Sequence, residues 1–181
     1  ILDADDIAHV NRIYLQQKFL DQNKEANIVA TYAKLIDEKG KIIKMYPAPK
    51  NEMILNKVIT YDNVYPHSSV MYKKKLLKKI GNYPTKLKYA QDYGLILKFA
   101  MKSKLHMIPR ALLSCRQLKT SMTQSRKYRF IIIKERINLL IFSLRNFKLE
   151  INQKLNIFAR ILYYTLKYSL TFTFQLFGII K

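Results

Sequence analysis

The stretch SSVMYKKKLLKKIGNYPTKLKYAQDYGLILKFAMKS, residues 68–103, decides the reading of the fold. It opens with a short buried strand, SSVMY (68–72), continues into a helix that Gly81 stops, and enters a second helix through Ala90, Gln91 and Asp92. Apolar residues at 95, 96, 99 and 100 turn one side of that second helix into a core and leave Asp92 in its first turn. A strand feeding helices is the unit of an α/β domain.

Working outward, NIVATYAKLIDEKGKIIKMY (27–46) is β-branched and alternating on both sides of Glu38-Lys39-Gly40-Lys41, which predicts a hairpin ended by Pro47 and Pro49. Asp6 reads as the N-cap of a surface helix reaching Asn23, with Ile7, Val10, Ile13, Tyr14 and Leu20 as its apolar positions. Residues 51–60 predict a short helix. Two short strands are expected near 104–108 and 111–116.

Beyond about Ser125 the character changes to long apolar helices punctuated by lysine and arginine. Residues 161–180 carry one charge, close to the ~20 apolar residues that span a bilayer. Gln153, Asn156, Arg160, Tyr164, Lys167, Thr171 and Gln175 nevertheless follow one another at helical steps and form a narrow polar stripe. Such a stripe opposite bulky apolar residues fits a helix lying in a membrane interface, and equally a face packed on other protein; a span is the third reading.

The composition, 49% hydrophobic and 25% charged, is that of a globular chain. Its single cysteine, Cys115, excludes an internal disulfide framework and a multi-cysteine zinc site, and reads as inert. Residues 1–65 balance nine basic against nine acidic side chains, so the net charge of +21 belongs to the rest of the chain. That basic part draws phosphates, whether of a nucleic acid, a lipid surface or a small ligand. It also isolates Asp92 as the sole carboxylate between Asp62 and Glu135.

At the start, ILDADDI (1–7) runs two apolar residues into Asp3, Asp5 and Asp6. Clustered carboxylates repel unless a cation or donors offset them, and hard oxygens suit Mg2+ or Mn2+ with substrate phosphates completing the shell. An EF-hand fits poorly, because the sixth position from Asp3 is Ala8 rather than glycine and the twelfth is Tyr14. The plainer alternative keeps Asp6 as a helix cap and Asp3 and Asp5 as solvated acids. For Asp92 it is an exposed acid favoured by a helix dipole.

The order LDADDI, PHSSVMYKKKLLKKIGNY, YAQDYGLILKFA and CRQLKTSMT resembles the second half of a family 2 inverting glycosyltransferase of the bacterial surface-polysaccharide type, over residues 1 to about 125. The resemblance implies an α/β, partial GT-A fold lacking its N-terminal nucleotide-binding half. Residues 1–125 would be the C-terminal part of that domain and 126–181 a basic, amphipathic, membrane-associating tail. It implies that Asp3 and Asp5 bind the donor and the metal, Mg2+ or Mn2+, with Asp5 the main metal contact. Asp92 would be the catalytic base, and His67 and Arg116 would line the donor site, Arg116 helping to stabilise the departing diphosphate. Two positions depart from the family pattern: Gln91 replaces a glutamate beside the base, and Leu118 replaces a histidine near the diphosphate.

The partners so implied are a nucleotide-sugar donor, a glycan or lipid-linked acceptor and an anionic membrane surface, with no specific nucleic acid. The protein would work peripherally at the cytoplasmic face of a bacterial inner membrane. Since Ile1 begins inside a strand, the chain is expected to be part of a longer protein and inactive by itself. The alternative is a non-catalytic basic fragment that binds membrane or nucleic acid.

Overall fold

The computed structural model describes residues 1–118 and 128–176, with side chains through Ser169. Five strands, Ile7–Ala8 (β1), Ile28–Ile36 (β2), Ile42–Met45 (β3), Met71–Tyr72 (β4) and His106–Arg116 (β5), build one mixed sheet in the order β1-β5-β2-β3, with β4 on β2 as well. β2 and β5 run parallel along their length, while the other pairings are antiparallel. Among the described residues six α-helices accompany the sheet: Arg12–Gln22 (α1), Glu52–Val58 (α2), Lys74–Ile80 (α3), Gln91–Ala100 (α4), Arg129–Asn146 (α5) and Ile151–Leu176 (α6).

β2 is buried at seven of its nine positions, as a strand covered on both faces must be. Its Ile28 and Ala30 meet Leu55, Ile59, Tyr65 and the fully buried Leu95, Ile96 and Phe99 of α4 in the main core. The hairpin forms as its sequence predicts. Asp37 Oδ1 accepts the N–H groups of Lys39 and Lys41 at 2.9 and 2.8 Å, and Gly40 takes φ +86° in the turn. The helix stopped at Gly81, with φ +74°, is α3.

Four expectations are corrected. Asp6 caps no helix: residues 7–8 are a strand paired with β5, and α1 begins at Arg12. The face of α1 is also turned over. Ile13 and Tyr14 are exposed, whereas Arg12 and Gln16 are buried because the chain needs their donors inside. Arg12 Nη1 donates to Ser68 O, and Gln16 Nε2 donates to Val29 O and Ser69 O at 3.0 and 2.7 Å. Consequently only Met71 and Tyr72 of SSVMY pair as a strand, after a 3-10 turn at His67–Ser69. Finally, the two strands expected from 104 to 116 are one. Its register skips from Ile108 to Ala111, so Pro109, which has no N–H to give, sits in an irregularity of a continuous β5.

The two long helices pack on each other through Ile133, Leu140, Ile157 and Tyr164. They also hold to the sheet domain. Gln153 Nε2 donates to Thr60 Oγ1 at 3.2 Å, and Arg160 Nη2 to Asp62 Oδ2 at 2.8 Å. The polar stripe of α6 therefore faces the protein at Gln153, Arg160 and Tyr164; Thr171 and Gln175 lie outside the described side chains, as does the string KTSMT. Among the described residues, no helix is long and apolar enough to cross a membrane.

Candidate functional site

The acidic start of the chain is tied down at the edge of the sheet. Ser68 Oγ donates to Asp3 Oδ2 at 2.7 Å, and His67 Nδ1 lies 4.0 Å from Asp3 Oδ1. The other ring nitrogen of His67 shares a hydrogen bond of 2.9 Å with the Tyr83 hydroxyl. Asp3, Ser68, His67 and Tyr83 thus form one chain of contacts. Asp6 accepts the backbone N–H of Arg116 at 2.8 Å and locks the end of β5 to the acidic turn.

Arg116 spends its guanidinium on the backbone. Nε donates to Asp5 O at 3.1 Å, and Nη1 to Asp37 O and Glu38 O at 3.0 and 2.8 Å. It holds the hairpin turn against the acidic turn, which places it beside Asp5. Asp3 and Asp5 are exposed. No group of three or more His, Cys, Asp or Glu gathers as a metal cluster among the described residues. Two exposed carboxylates suit a magnesium-type ion that takes one or two protein oxygens and fills its shell with water and phosphate. Cys115, next to this turn, has its thiol pKa pushed up to about 12 by burial first, then by Asp6 and Asp3.

Asp92 stands apart from these residues, in a small cavity of about 70 Å³ that none of Asp3, Asp5, His67 or Arg116 lines. Asn63 Nδ2 donates to Asp92 Oδ2 at 3.0 Å. The cavity is also lined by Tyr61, Asp62, Arg136 and Tyr164. Two tyrosines relate the clusters. Tyr83 has its pKa raised by burial first, then by Tyr72, Asp3 and Asp92, so it feels both acids. Tyr46 is pushed up to about 12 by burial first, then by Cys115, Asp92 and Asp62.

The helix carrying Asp92 is fixed from α5. The carboxylate of Glu135, itself buried, accepts the N–H groups of Lys88, Tyr89 and Ala90 at 2.7, 2.9 and 2.9 Å. Lys88 and Tyr89 lead into α4 and Ala90 is its N-cap, so the carboxylate fixes the approach to the helix. Sequence reading passed over Glu135, although a lone acid in a basic run is a signal that it serves donors inside. Asn63, Tyr83 and Arg136 gave no such signal.

No family model matches the chain. Over 94 residues it is 36% identical to an uncharacterized glycosyltransferase of Methanocaldococcus jannaschii, a match covering 51% of this chain and 32% of that protein. Over 97 residues it is 31% identical to the O-antigen biosynthesis glycosyltransferase WbnJ of Escherichia coli, covering 54% and 37%. The curated relatives are glycosyltransferases. The chain spans about a third of their length. Among solved structures, it is similar to S. aureus TarS residues 1–349 in complex with UDP-GlcNAc, with TM-score 0.60, 19% identity, 97% of this chain and 50% of that one covered. At that identity the likeness is one of fold. The mixed α/β sheet with its helices thus shares its fold with that structure, and the sequence is similar to glycosyltransferases.

Proposed function

We propose that the full-length protein transfers a sugar, with inversion, from a nucleotide-sugar donor to a glycan or lipid-linked acceptor in cell-surface polysaccharide biosynthesis. Its framework would be the family 2 GT-A type, with residues 1–125 forming the C-terminal part and 126–181 the membrane-associating tail. The observation that carries this reading is Asp92, held by Asn63 in a cavity at the entry to α4, on a helix whose approach Glu135 fixes. The complex of TarS with UDP-GlcNAc supports a nucleotide sugar as donor.

In the proposed step the acceptor oxygen bonds to the anomeric carbon as the bond from that carbon to the diphosphate breaks. The acceptor proton passes to an Asp92 carboxylate oxygen, and the nucleoside diphosphate departs. Asp5 and Asp3 would hold Mg2+ or Mn2+, whose chemistry is to stabilise the charge on the diphosphate. His67, braced between Asp3 and Tyr83, would line the donor site, and Arg116 fixes the turn that presents Asp5. The tail would keep the enzyme peripheral, at the cytoplasmic face of the inner membrane.

The test is Asp92→Asn in the full-length protein. Loss of a general base lowers turnover by about 10²–10⁴-fold while the fold persists. Transfer at the wild-type rate would remove Asp92 from the mechanism.

A further inference from the structure

Two acids and two arginines meet around the cavity at α4, and they are not paired evenly. Arg160 binds Asp62 at 2.8 Å. Among the described residues Asp92 receives the Asn63 amide, and Arg136 Nη1 donates to the Tyr164 hydroxyl at 2.8 Å. Among the described residues, neither Asp92 nor Arg136 forms an ion pair. Both line the cavity.

The seat of Arg136 is built rather than incidental. Tyr164, 8% exposed, offers its hydroxyl, and its ring centroid lies 5.9 Å from the guanidinium carbon. The preceding residue, Glu135, anchors α5 to the start of α4 through three backbone donors. Arg136 is exposed as a residue; desolvation on its cavity side works to lower its pKa, but Tyr164, Asp62 and Asp92 together raise it, so the guanidinium stays charged. A guanidinium has five donors in a planar fork suited to carboxylate or phosphate oxygens, and the Tyr164 hydroxyl uses one. Had the role of Arg136 been to neutralise Asp92, a direct ion pair would serve; among the described residues the cavity holds the two charges unpaired.

We propose that this cavity takes an acceptor that carries an anionic group, phosphate or carboxylate, near its reacting hydroxyl, with Arg136 binding the anion and Asp92 facing the hydroxyl. The proposal rests on the sugar-transfer reading for the role of Asp92, while the anion site itself does not require it. It makes α5 and α6 part of acceptor recognition.

The experiment is calorimetric titration of the full-length protein, and of its Arg136→Gln, Arg136→Lys and Lys134→Gln variants, with glycerol 3-phosphate, glucuronate, glycerol and UDP. Lys134 is exposed on the same helix and controls for the general positive charge. Expected is binding of glycerol 3-phosphate or glucuronate, whichever source of anion the site prefers, weakened at least ~10-fold by Arg136→Gln. Arg136→Lys should recover part of it, and Lys134→Gln should bind as the wild type does. In turnover assays Arg136→Gln should raise KM for anionic over neutral acceptors. The proposal is overturned if neither anion binds, if glycerol binds as well as glycerol 3-phosphate, or if both glutamine variants weaken binding equally. Loss confined to UDP would assign Arg136 to the nucleotide instead and also overturn it. Anion binding that depends on Arg136 in a protein that turns over no nucleotide sugar would leave the site standing and sink sugar transfer.

Discussion

The carboxylate of Glu135 on α5 accepts the backbone N–H of Ala90 at 2.9 Å, two residues before Asp92. With Lys88 and Tyr89 it serves three consecutive donors. A side chain from a later helix thus ties down the approach to α4, whose own N-cap, Ala90, has no side-chain oxygen.

Removing this carboxylate should be costly. Glu135→Ala leaves three donors without a partner in a half-buried setting and is expected to destabilise the protein by about 3 kcal/mol. Glu135→Gln keeps a carbonyl oxygen and should lose less. Urea denaturation measures both, and an alanine variant as stable as the wild type would show that water replaces the carboxylate at no cost.

Gly94, one turn into α4, gives a second handle on the same region. A Cβ there would lie 2.7 Å from Pro84 Cγ and 2.8 Å from Leu87 Cδ1. In an open helix Gly→Ala gains about 1 kcal/mol, whereas overpacking costs about 1–3 kcal/mol. The clash should win, and Gly94→Ala is expected to lower the denaturation midpoint. A raised midpoint would mean that the loop from Pro84 to Leu87 yields freely.

Cys115 should be slow to react. Its thiol pKa is raised to about 12 by burial and by Asp6 and Asp3, against an ordinary 9.0. At pH 8 its thiolate fraction falls roughly a thousandfold, and iodoacetamide should alkylate the folded protein correspondingly slowly. The raised value favours the protonated thiol in the fold, so its stabilising contribution is complete below about pH 9 and is lost as pH climbs toward 12. Labelling at the rate of an unfolded control would contradict this.

What was legible in the sequence were the elements whose signal is local. The hairpin at Gly40, the stop at Gly81 and the placement of Asp92 at a helix start follow from turn and helix chemistry within a few residues. What escaped was the direction that helices face. Arg12 and Gln16 turn inward because backbone carbonyls of Ser68, Ser69 and Val29 lie across from them. Hydrophobic spacing alone reads the same helix the other way round. The site divides likewise: Asp92 stood out by its isolation, while Arg136 and Glu135 gain their meaning only from packing of α5 on α4.

The same inversion in α6 leads to the last prediction. With Gln153, Arg160 and Tyr164 turned toward the domain, Ile151, Leu155, Phe158, Leu162 and Leu166 form one outward row, each more than half exposed. Five large apolar residues at steps of three and four along a helix do not stay in water without purpose. The chain's +21 charge sets what can cover them: a second copy brings like charge, whereas anionic lipid brings the opposite sign. The full-length protein is therefore expected to sediment with vesicles containing phosphatidylglycerol and less with neutral ones, more weakly at high salt. Replacing Leu155, Phe158 and Leu162 by serine should abolish binding and shift stability by no more than ~0.5 kcal/mol per site, as exposed positions do. Vesicle binding unchanged in the triple variant would refute the membrane face. A concentration-dependent dimer that the same variant abolishes would assign the row to a second copy instead.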